Sequence, residues 1–336
     1  MKDRYSRQAL FQPIGKVGQE KIRRKHVLIL GCGALGTANA ANLVRAGIGK
    51  LTIIDRDYVE WSNLQRQQLF TAEDAENQVP KVIAAKEKLT AINPEVEIIA
   101  HILDVTGDNI RPHLKGVDLV IDATDNFDIR FIMNDLIHQY KLPWIFGSCV
   151  GSTGMSFTIL PGETPCLACI LDSTSLTGAT CDSVGIIAPA VQMVVAHQTT
   201  EALKILVEEA AALRTELVMF DLWHNRYQLI NVDRAKEADC PTCGKNPTYP
   251  KLTYNHRTKT EVLCGRNTVQ IRASREVALD ELAHRLGKLG SVRVNEFLLS
   301  LQYDDYRVVV FRDGRAFIHG TDSIETARKI YYQLVG

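Results

Sequence analysis

The stretch HVLILGCGALGTANAANLVRAGIGKLTIIDRD, residues 26–57, decides the fold of this chain. It opens with a continuous apolar run, HVLIL, which is typical of a strand buried on both faces of a parallel sheet. A glycine-rich turn, GCGALG, comes next, followed by a segment with helical spacing that ends at Gly47 and by a second apolar run, KLTIID. This succession of strand, glycine turn, helix and strand predicts the beginning of a nucleotide-binding α/β unit.

Strands and helices continue to alternate after this unit. Three further strands are predicted from VEIIAHI, VDLVIDA and PWIFGSCV, and two helices from PKVIAAKEKLTAINP, with Pro80 in its first turn, and NFDIRFIMNDLIHQY. GMSFTIL, ELVMFDL and RYQLINV indicate strands that extend or flank the sheet, and a long helix is expected at about 187–209. We therefore predict an α/β fold with a doubly wound, Rossmann-like and mostly parallel sheet.

Charge and hydropathy exclude several classes of partner. The 336 residues carry 39 basic and 39 acidic side chains, so no net field favours nucleic acid or an anionic membrane. The first residues, MKDRYSRQAL, lack the apolar core of a signal peptide, and the apolar stretch IIAPAVQMVVA is shorter than the roughly 20 residues of a membrane span. We expect a cytoplasmic protein that binds neither nucleic acid nor a membrane.

The chain is long enough for a second domain. GKNPTYPK, residues 244–251, is rich in turn-forming residues and is a candidate linker. After it the pattern changes to short strands and two amphipathic helices, with FRDGRAFI as a hairpin that turns at Asp-Gly. We predict a larger domain at 1–246, which contains the glycine turn and four paired cysteines, and a small α+β domain at 252–336.

The glycine turn has the spacing of a nucleotide-binding motif. Gly31, Gly33 and Gly36 fit G-x-G-x-x-G between a strand and a helix, and Asp55 ends the next strand 19 residues later, where it could accept hydrogen bonds from ribose hydroxyls. Asp57 belongs to the same predicted site. These residues do not distinguish NAD from ATP, and a turn that serves only helix–sheet packing is the alternative.

Four polar residues outside the glycine turn favour a triphosphate. In SNLQRQQLF, Asn63 and Arg66 lie three residues apart, close to one helical turn. Lys81 begins a predicted helix, where the helix dipole disfavours a cation unless an anion is near, and Asp125 follows a strand at its carboxyl end. Each alone could be a solvated surface charge, and Asp125 could cap the next helix. Together they indicate ATP and Mg²⁺ binding without a Walker A sequence.

The chain has eight cysteines, four of them in two C-x-x-C pairs. The paired residues are Cys166, Cys169, Cys240 and Cys243. Four thiolates suit tetrahedral Zn²⁺ and leave no open coordination position, so we predict a structural zinc site that joins segments about 70 residues apart. Redox-active or merely buried cysteines are the alternatives.

The remaining cysteines are single. Cys181 lies in STSLTGATCDSVG, a stretch with the composition of a loop, and Cys264 is followed two residues later by Arg266, which could lower its pKa. Single cysteines are commonly small buried residues, and we assign no chemistry to Cys32 or Cys149.

Several motifs occur in this chain in the order in which the MoeB/ThiF family has them. They are RYSRQ, GCGALG, DRDYVEWSNLQRQ, PKVIAAKEKLTAINP, DATDN, EALK and the two C-x-x-C pairs. From about residue 4 to 246 the chain closely resembles this family of bacterial adenylyltransferases, which are relatives of ubiquitin-activating enzymes. Ala34 departs from the family's usual G-x-G-G-x-G, and alanine is the mildest such change.

The resemblance implies an activity. Such enzymes use ATP to adenylate the C-terminal glycine carboxylate of a ubiquitin-like sulfur carrier, ThiS-like in thiamine thiazole synthesis or MoaD-like in molybdopterin synthesis, and release pyrophosphate. Because the resemblance includes no rhodanese domain, it implies a separate sulfur donor such as a cysteine desulfurase.

The resemblance also implies residue roles. Asp125 would help to position Mg²⁺, Arg7 would reach the triphosphate of the neighbouring protomer in a homodimer, and Cys181 would take part in sulfur transfer. The residues implied to contact ATP are Gly31, Gly33, Gly36, Asp55, Asp57, Asn63, Arg66 and Lys81.

Two other functions compete with this interpretation. A Rossmann NAD(P)-dependent oxidoreductase would account for the glycines and the aspartate that follows them, but not for the phosphate-binding set as a whole. A non-catalytic scaffold that binds the carrier would not need to keep arginine and lysine in those positions.

Overall fold

The structure is a computed structural model that describes residues 4–172, 184–253, 260–263, 267–273 and 276–336. Cys181, Cys264 and Arg266 lie outside these residues, so the hypotheses about them are not addressed by the structure. The chain divides into two compact units, which we describe separately. Of the described residues, the first unit contains 4–172 and 185–253, and the second contains 184 and those from 260 to 336. The domain limits 1–246 and 252–336 remain a prediction.

An eight-stranded sheet forms the centre of the first unit. Its strands are β1 His26–Leu30, β2 Lys50–Asp55, β3 Glu97–Ile102, β4 Leu119–Asp122, β5 Trp144–Val150, β6 Thr153–Ile159, β7 Leu217–Asp221 and β8 Arg226–Ile230. They are arranged in the order β3-β2-β1-β4-β5-β6-β7-β8. The first five strands in this order, β3 to β5, pair in parallel with their neighbours within this set. Strands β6, β7 and β8 each pair antiparallel with the strand before them. The predicted doubly wound, mostly parallel sheet is confirmed.

Helices cover both faces of this sheet. The helices of the first unit are α1 Ser6–Leu10, α2 Gly15–Ile22, α3 Ala34–Ala46, α4 Ala72–Glu76, α5 Lys81–Ile92, α6 Phe127–Tyr140, α7 Leu167–Asp172, α8 Ala188–Leu206 and α9 Pro250–Thr253. The long helix expected at about 187–209 is α8. The prediction that Pro80 lies in the first turn of its helix is wrong by one residue. Its backbone is extended (ψ 134°), so it is the residue that precedes α5.

Strand β1 shows why this sequence folds into layers. Val27 and Ile29 are fully buried in one hydrophobic core, and Leu28, which points the opposite way, is fully buried in another. A continuous apolar run satisfies both faces at once, which is the reason that HVLIL predicts a central strand.

The second unit is an antiparallel sheet with two helices. Its strands are β9 Thr260–Leu263, β10 Thr268–Ile271, β11 Val292–Val294, β12 Leu298–Tyr303, β13 Tyr306–Phe311 and β14 Ala316–His319, and its helices are α10 Leu279–Leu286 and α11 Ile324–Leu334. The strand order is β11-β12-β13-β14-β10-β9. The predicted hairpin joins β13 to β14, and Gly314 takes the positive φ (82°) that its turn requires. The short edge strands β9 and β11 were not predicted.

Among the described residues no helix combines the length and the hydropathy needed to cross a membrane.

Candidate functional site

The glycine turn lies where the strand order of the first sheet reverses, between β1 and β4. Open α/β sheets bind ligands at such a point, outside the carboxyl ends of the strands. Gly31 has φ 95°, and a Cβ there would lie 2.5 Å from the carbonyl oxygen of Ala123, just after β4; a Cβ on Gly36 would overlap the carbonyl of Gly31. These two glycines therefore allow close backbone packing.

Gly33 has a different role from its two neighbours. It is the N-cap residue of α3 and makes no side-chain cap hydrogen bond, so the N–H groups of the first turn of this 13-residue helix are available to an anion. A Cβ on Gly33 would meet no atom closer than Gln67 Nε2, at 3.8 Å. The open side of the turn is thus at Gly33.

Asp55 fixes the position of this turn. One carboxylate oxygen accepts a hydrogen bond from the backbone N–H of Cys32 (2.5 Å), and the other accepts one from the N–H of Asp57 (2.7 Å). Burial raises the pKa of Asp55, the nearby ammonium of Lys81 opposes this rise, and the charge of Asp57 adds to it. The carboxylate predicted to hold ribose therefore also fastens the glycine turn to the end of β2.

Lys81 is buried at the start of α5, with 4% of its surface exposed. Its ammonium lies 3.2 Å from a carboxylate oxygen of Asp57, and its backbone N–H donates to the Asp57 carbonyl (3.0 Å). This carboxylate offsets the unfavourable position of a cation at a helix N-terminus. Lys81 and Asp57 therefore lie together at the end of β2, next to Asp55.

Asn63 and Arg66 lie in the segment between β2 and α4. Asn63 ends a short 3₁₀ helix, Trp61–Asn63, and its buried side-chain oxygen accepts the N–H of Glu60 (3.1 Å). The Arg66 guanidinium donates to the carbonyl of Ser62 (2.9 Å). Asn63 thus braces the segment, while Arg66 stays partly exposed.

Asp125 lies in the loop between β4 and α6 and is exposed. The alternative in which it caps α6 is wrong, because the Asn126 side chain accepts the N–H groups of Asp128 (2.8 Å) and Ile129 (3.2 Å) in that role. The carboxylate of Asp125 is exposed near the carboxyl end of β4, next to the glycine turn, and this position is compatible with a Mg²⁺ ligand.

A buried ion pair that we did not predict holds the same loop. Arg130 Nε donates to Asp122 (2.8 Å), and its NH2 group donates to the carbonyl of Thr124 (2.5 Å). The guanidinium lies 5.0 Å from the ring centres of both Phe127 and Phe146. Burial raises the pKa of Asp122, and the charge of Arg130 opposes that shift. An arginine on an amphipathic helix gives no sequence signal of such burial.

The structure does not bring Arg7 to the glycine turn of its own chain. Helix α1 is anchored by Tyr5, whose hydroxyl accepts a hydrogen bond from Asn93 (2.8 Å) and whose ring lies against Gly47. Gly47 and Asn93 end α3 and α5, the two helices whose first residues lie at the nucleotide site. At 1.5 Å per residue, the 13 residues of α3 separate its ends by about 20 Å.

The four paired cysteines meet in one place. Their sulfurs all lie within 4.8 Å of one another, with Cys166 3.7 Å from Cys240 and Cys169 3.6 Å from Cys243. Tetrahedral Zn²⁺ with Zn–S bonds of about 2.3 Å needs sulfur separations of about 3.8 Å, so the arrangement fits this ion. Burial, as the leading cause, raises the pKa of Cys169 to about 12.

Helix α6 holds both halves of this cysteine cluster. Asn134 accepts the backbone N–H of Leu167, between the first two cysteines, at 2.8 Å. Asp135 accepts the hydroxyl of Thr242 (2.5 Å), between the other two, and the N–H of Lys251 (2.8 Å). Burial raises the pKa of Asp135, and these two donors oppose that shift. Neither anchor residue was predicted.

Comparison with known proteins gives a consistent result. Residues 5–242 match the ThiF family. The chain is similar to the sulfur carrier protein ThiS adenylyltransferase of Bacillus subtilis (strain 168), with 48% identity over 339 aligned positions that cover 100% of both chains. It is 35% identical to the protein of the same name from Escherichia coli (strain K12), over 74% of this chain and 97% of that one. The crystal structure of E. coli MccB shares the fold, with a TM-score of 0.63, 22% identity and 74% of each chain covered.

Proposed function

The chain belongs to the ThiF family, and from this premise we propose that it is an ATP-dependent adenylyltransferase of a ubiquitin-like sulfur-carrier protein. The observation that carries this proposal is the 48% identity to a ThiS adenylyltransferase along the whole of both chains. The cations Arg66 and Lys81, together with the exposed carboxylate of Asp125, support it, since two cations and a candidate Mg²⁺ ligand suit a triphosphate better than a dinucleotide.

We propose a ThiS-like carrier and a role in thiamine thiazole synthesis. Two relatives that are named ThiS adenylyltransferase support this proposal. The Bacillus subtilis protein is similar to this chain over residues of both compact units, and the E. coli protein is similar over 74% of it. A MoaD-like carrier, and with it molybdopterin synthesis, is the alternative. A separate protein such as a cysteine desulfurase would supply the sulfur.

The proposed reaction joins two anions. A carboxylate oxygen of the carrier's terminal glycine forms a bond to the α-phosphorus of ATP, the bond from that phosphorus to the bridging oxygen breaks, and pyrophosphate leaves with the oxygen. No general base is needed because the carboxylate is already ionised. The protein's task is to neutralise charge and to hold the reactants in line.

Specific residues of this chain would perform that task. The first turn of α3 at Gly33 would bind phosphate oxygens through backbone N–H groups, and Arg66 and Lys81 would neutralise the triphosphate. Asp57 keeps the ammonium of Lys81 in place before ATP arrives, which limits reorganisation during the reaction. Asp125 would hold Mg²⁺, which when bound neutralises phosphate charge.

We further propose a homodimer in which Arg7 acts on the partner's nucleotide. Arg7 lies at the end of α3 remote from its own site. The segment from α1 to α2 exposes Leu10 (72%), Phe11 (60%) and Val17 (73%), an apolar surface that a second copy could cover.

Mixing two inactive variants tests this arrangement. Arg7→Ala removes the trans residue and Lys81→Met removes a cis residue, so each variant alone should lose exchange activity. A one-to-one mixture should recover about one quarter of the wild-type sites, since half the dimers would then contain one intact site. No recovery from mixed, refolded chains would contradict the trans role.

Cys181 is proposed to take part in sulfur transfer to the activated carrier. Cys181→Ser should leave adenylation intact and abolish formation of the carrier thiocarboxylate in the presence of a sulfur donor. Unchanged thiocarboxylate formation would contradict this role.

ATP–pyrophosphate exchange tests the proposed activity. Purified protein with Mg²⁺ is given a ThiS-like or a MoaD-like carrier in separate reactions. Exchange with the ThiS-like carrier alone is expected, and exchange with the MoaD-like carrier alone would reassign the pathway. Absence of exchange with both, from folded protein that retains zinc, would favour the non-catalytic scaffold, and tight NADH binding would favour the oxidoreductase.

A further inference from the structure

Gln67 is a buried glutamine beside the nucleotide site. It directly follows Arg66, and only 4% of its surface is exposed, whereas Gln65 and Gln68 on either side are exposed. Its backbone N–H donates to the carbonyl of Asn63 (3.0 Å), so the main chain of this segment is braced and directs the Gln67 side chain inward.

The amide of Gln67 lies against the open side of the glycine turn. Its Nε2 is 3.8 Å from the point where a Cβ on Gly33 would stand. Gly33 is the N-cap of α3, where the free N–H groups of the first helical turn favour a bound anion. The amide nitrogen is therefore placed to donate to the same anion as the helix.

The other end of this amide has no partner within the described part of the chain. Oε1 of Gln67 is fully buried and accepts no hydrogen bond there. A buried carbonyl oxygen without a donor destabilises the folded protein, and an apolar side chain of similar size would avoid that cost. A glutamine in this position is understandable if a ligand supplies the missing donor.

A nucleotide presents both kinds of group that the amide requires. Its phosphate oxygens accept hydrogen bonds, and its ribose hydroxyls donate them. Asp55, the other candidate for ribose, already has one backbone N–H on each carboxylate oxygen, which leaves it fewer free lone pairs. An amide that donates with one end and accepts with the other can thus bind two parts of one nucleotide.

We propose that Gln67 is a nucleotide-binding residue, with Nε2 donating to a phosphate oxygen at the start of α3 and Oε1 accepting from a ribose hydroxyl. The identification of that nucleotide as ATP rests on the proposed function. Both contacts are made in the bound substrate as well as in the transition state, so their loss raises KM for ATP more than it lowers kcat.

Matched substitutions at adjacent glutamines test this assignment. Gln67→Met removes both polar atoms at nearly constant size, and Gln67→Glu replaces the donor with a negative charge; Gln68→Met and Gln68→Glu are the exposed controls. The measurements are the melting temperature with and without ATP, the Kd for ATP by calorimetry, and KM and kcat for exchange.

Gln67→Met is expected to melt at or above the wild-type temperature without ATP, since the unpaired carbonyl is gone, and to bind ATP about tenfold more weakly. Gln67→Glu should bind more weakly still because of like-charge repulsion. Both Gln68 variants should stay within about twofold of wild type.

One result would overturn the assignment, namely an unchanged Kd for ATP in Gln67→Met. A lower melting temperature of the same variant would then show that Gln67 is a packing residue. The two proposals can fail separately. If the wild type binds ATP but supports no exchange, and Gln67→Met binds ATP more weakly, the adenylyltransferase activity is refuted and the assignment of Gln67 stands.

Discussion

Lys81 is a buried cation that compensates carboxylates at the end of β2. Its partner Asp57 lies 3.2 Å away, and its charge also acts on Asp55. The same ammonium is assigned to the triphosphate in our proposal. Its structural and catalytic contributions can be tested separately, because a variant that replaces both Lys81 and Asp57 leaves no unpaired partner in this ion pair but still lacks the phosphate-binding cation.

We predict that Lys81→Met lowers both stability and exchange activity. Removal of one partner of a buried ion pair costs about 3 kcal/mol of unfolding free energy, and loss of a phosphate-binding cation lowers exchange by about 100-fold or more. The double variant Lys81→Met/Asp57→Asn should regain most of the melting temperature and none of the exchange. Recovery of exchange in the double variant would contradict the phosphate role.

Most residues around the glycine turn could be predicted because their positions follow from chain connectivity. Gly33 and Asp55 end or follow strands, and parallel strands bring their carboxyl ends to one edge. Gln67 and Arg130 could not be predicted, since motif spacing says nothing about which way a polar side chain points. Both are buried here, although glutamine and arginine in polar segments are usually exposed.

At the scale of elements, helix α6 joins two sites. Its N-terminus is held at the loop that carries Asp125, and its middle residues Asn134 and Asp135 hold the two halves of the cysteine cluster. The alternation of strands and helices in the sequence predicts α6. The contacts of its middle residues join segments more than 30 residues apart, and no local sequence pattern indicates such tertiary contacts.

We predict that Asp135→Asn weakens zinc retention. The variant places an amide N–H₂ against one of two donors, Thr242 Oγ1 or Lys251 N, and loosens the second cysteine pair. Loss of such an outer contact typically lowers metal affinity by about 10- to 100-fold. Zinc release to a chelating dye should be faster than in wild type, and Asp128→Asn, exposed on the same helix, is the control. Equal release rates in all three proteins would contradict the anchoring role.

The edge strand β3 carries a pH-dependent contact. The ring of His101 lies 4.2 Å from that of His113 in the 3₁₀ helix Arg111–Leu114. Burial, followed by the charge of His113, lowers the pKa of His101 below its ordinary value of 6.5. The unfolded chain therefore takes up the proton first, and the contribution of His101 to stability is present above pH 6.5 and is lost as pH falls below it.

We predict that His101→Gln reduces the loss of unfolding free energy between pH 7.5 and 5.5. Urea denaturation at both pH values measures the unfolding free energy of wild type and variant. The difference between the two proteins isolates the contribution of His101 from that of the other titrating residues. Parallel stability curves for the two proteins would show that His101 does not contribute.

At the scale of the whole molecule, the two compact units have separate hydrophobic cores. The alignment with the E. coli ThiS adenylyltransferase covers 97% of that protein but only 74% of this chain. The remaining quarter of this chain is therefore not part of that similarity. The residues that we assign to ATP, magnesium and zinc all lie in the first unit. Hydrophobic patterning predicted a smaller C-terminal α+β region, but it did not reveal the six-stranded sheet, because the edge strands β9 and β11 are short.

We predict that a chain ending at residue 253 supports ATP–pyrophosphate exchange within about threefold of the full protein, because it retains the first core and α9. A chain ending at residue 239 lacks Cys240 and Cys243 and should neither retain zinc nor support exchange. Loss of exchange in the first of these, with its zinc retained, would show that the second unit contributes to the reaction.

The most direct test of the central claim is the intact mass of the carrier protein after incubation with this enzyme, ATP and Mg²⁺. We predict that a ThiS-like carrier with a free C-terminal glycine gains the mass of one adenylyl group as pyrophosphate is released, and that Lys81→Met prevents the gain. An unchanged carrier mass, with folded enzyme that binds ATP and retains zinc, would contradict the assignment of adenylyltransferase activity to this protein.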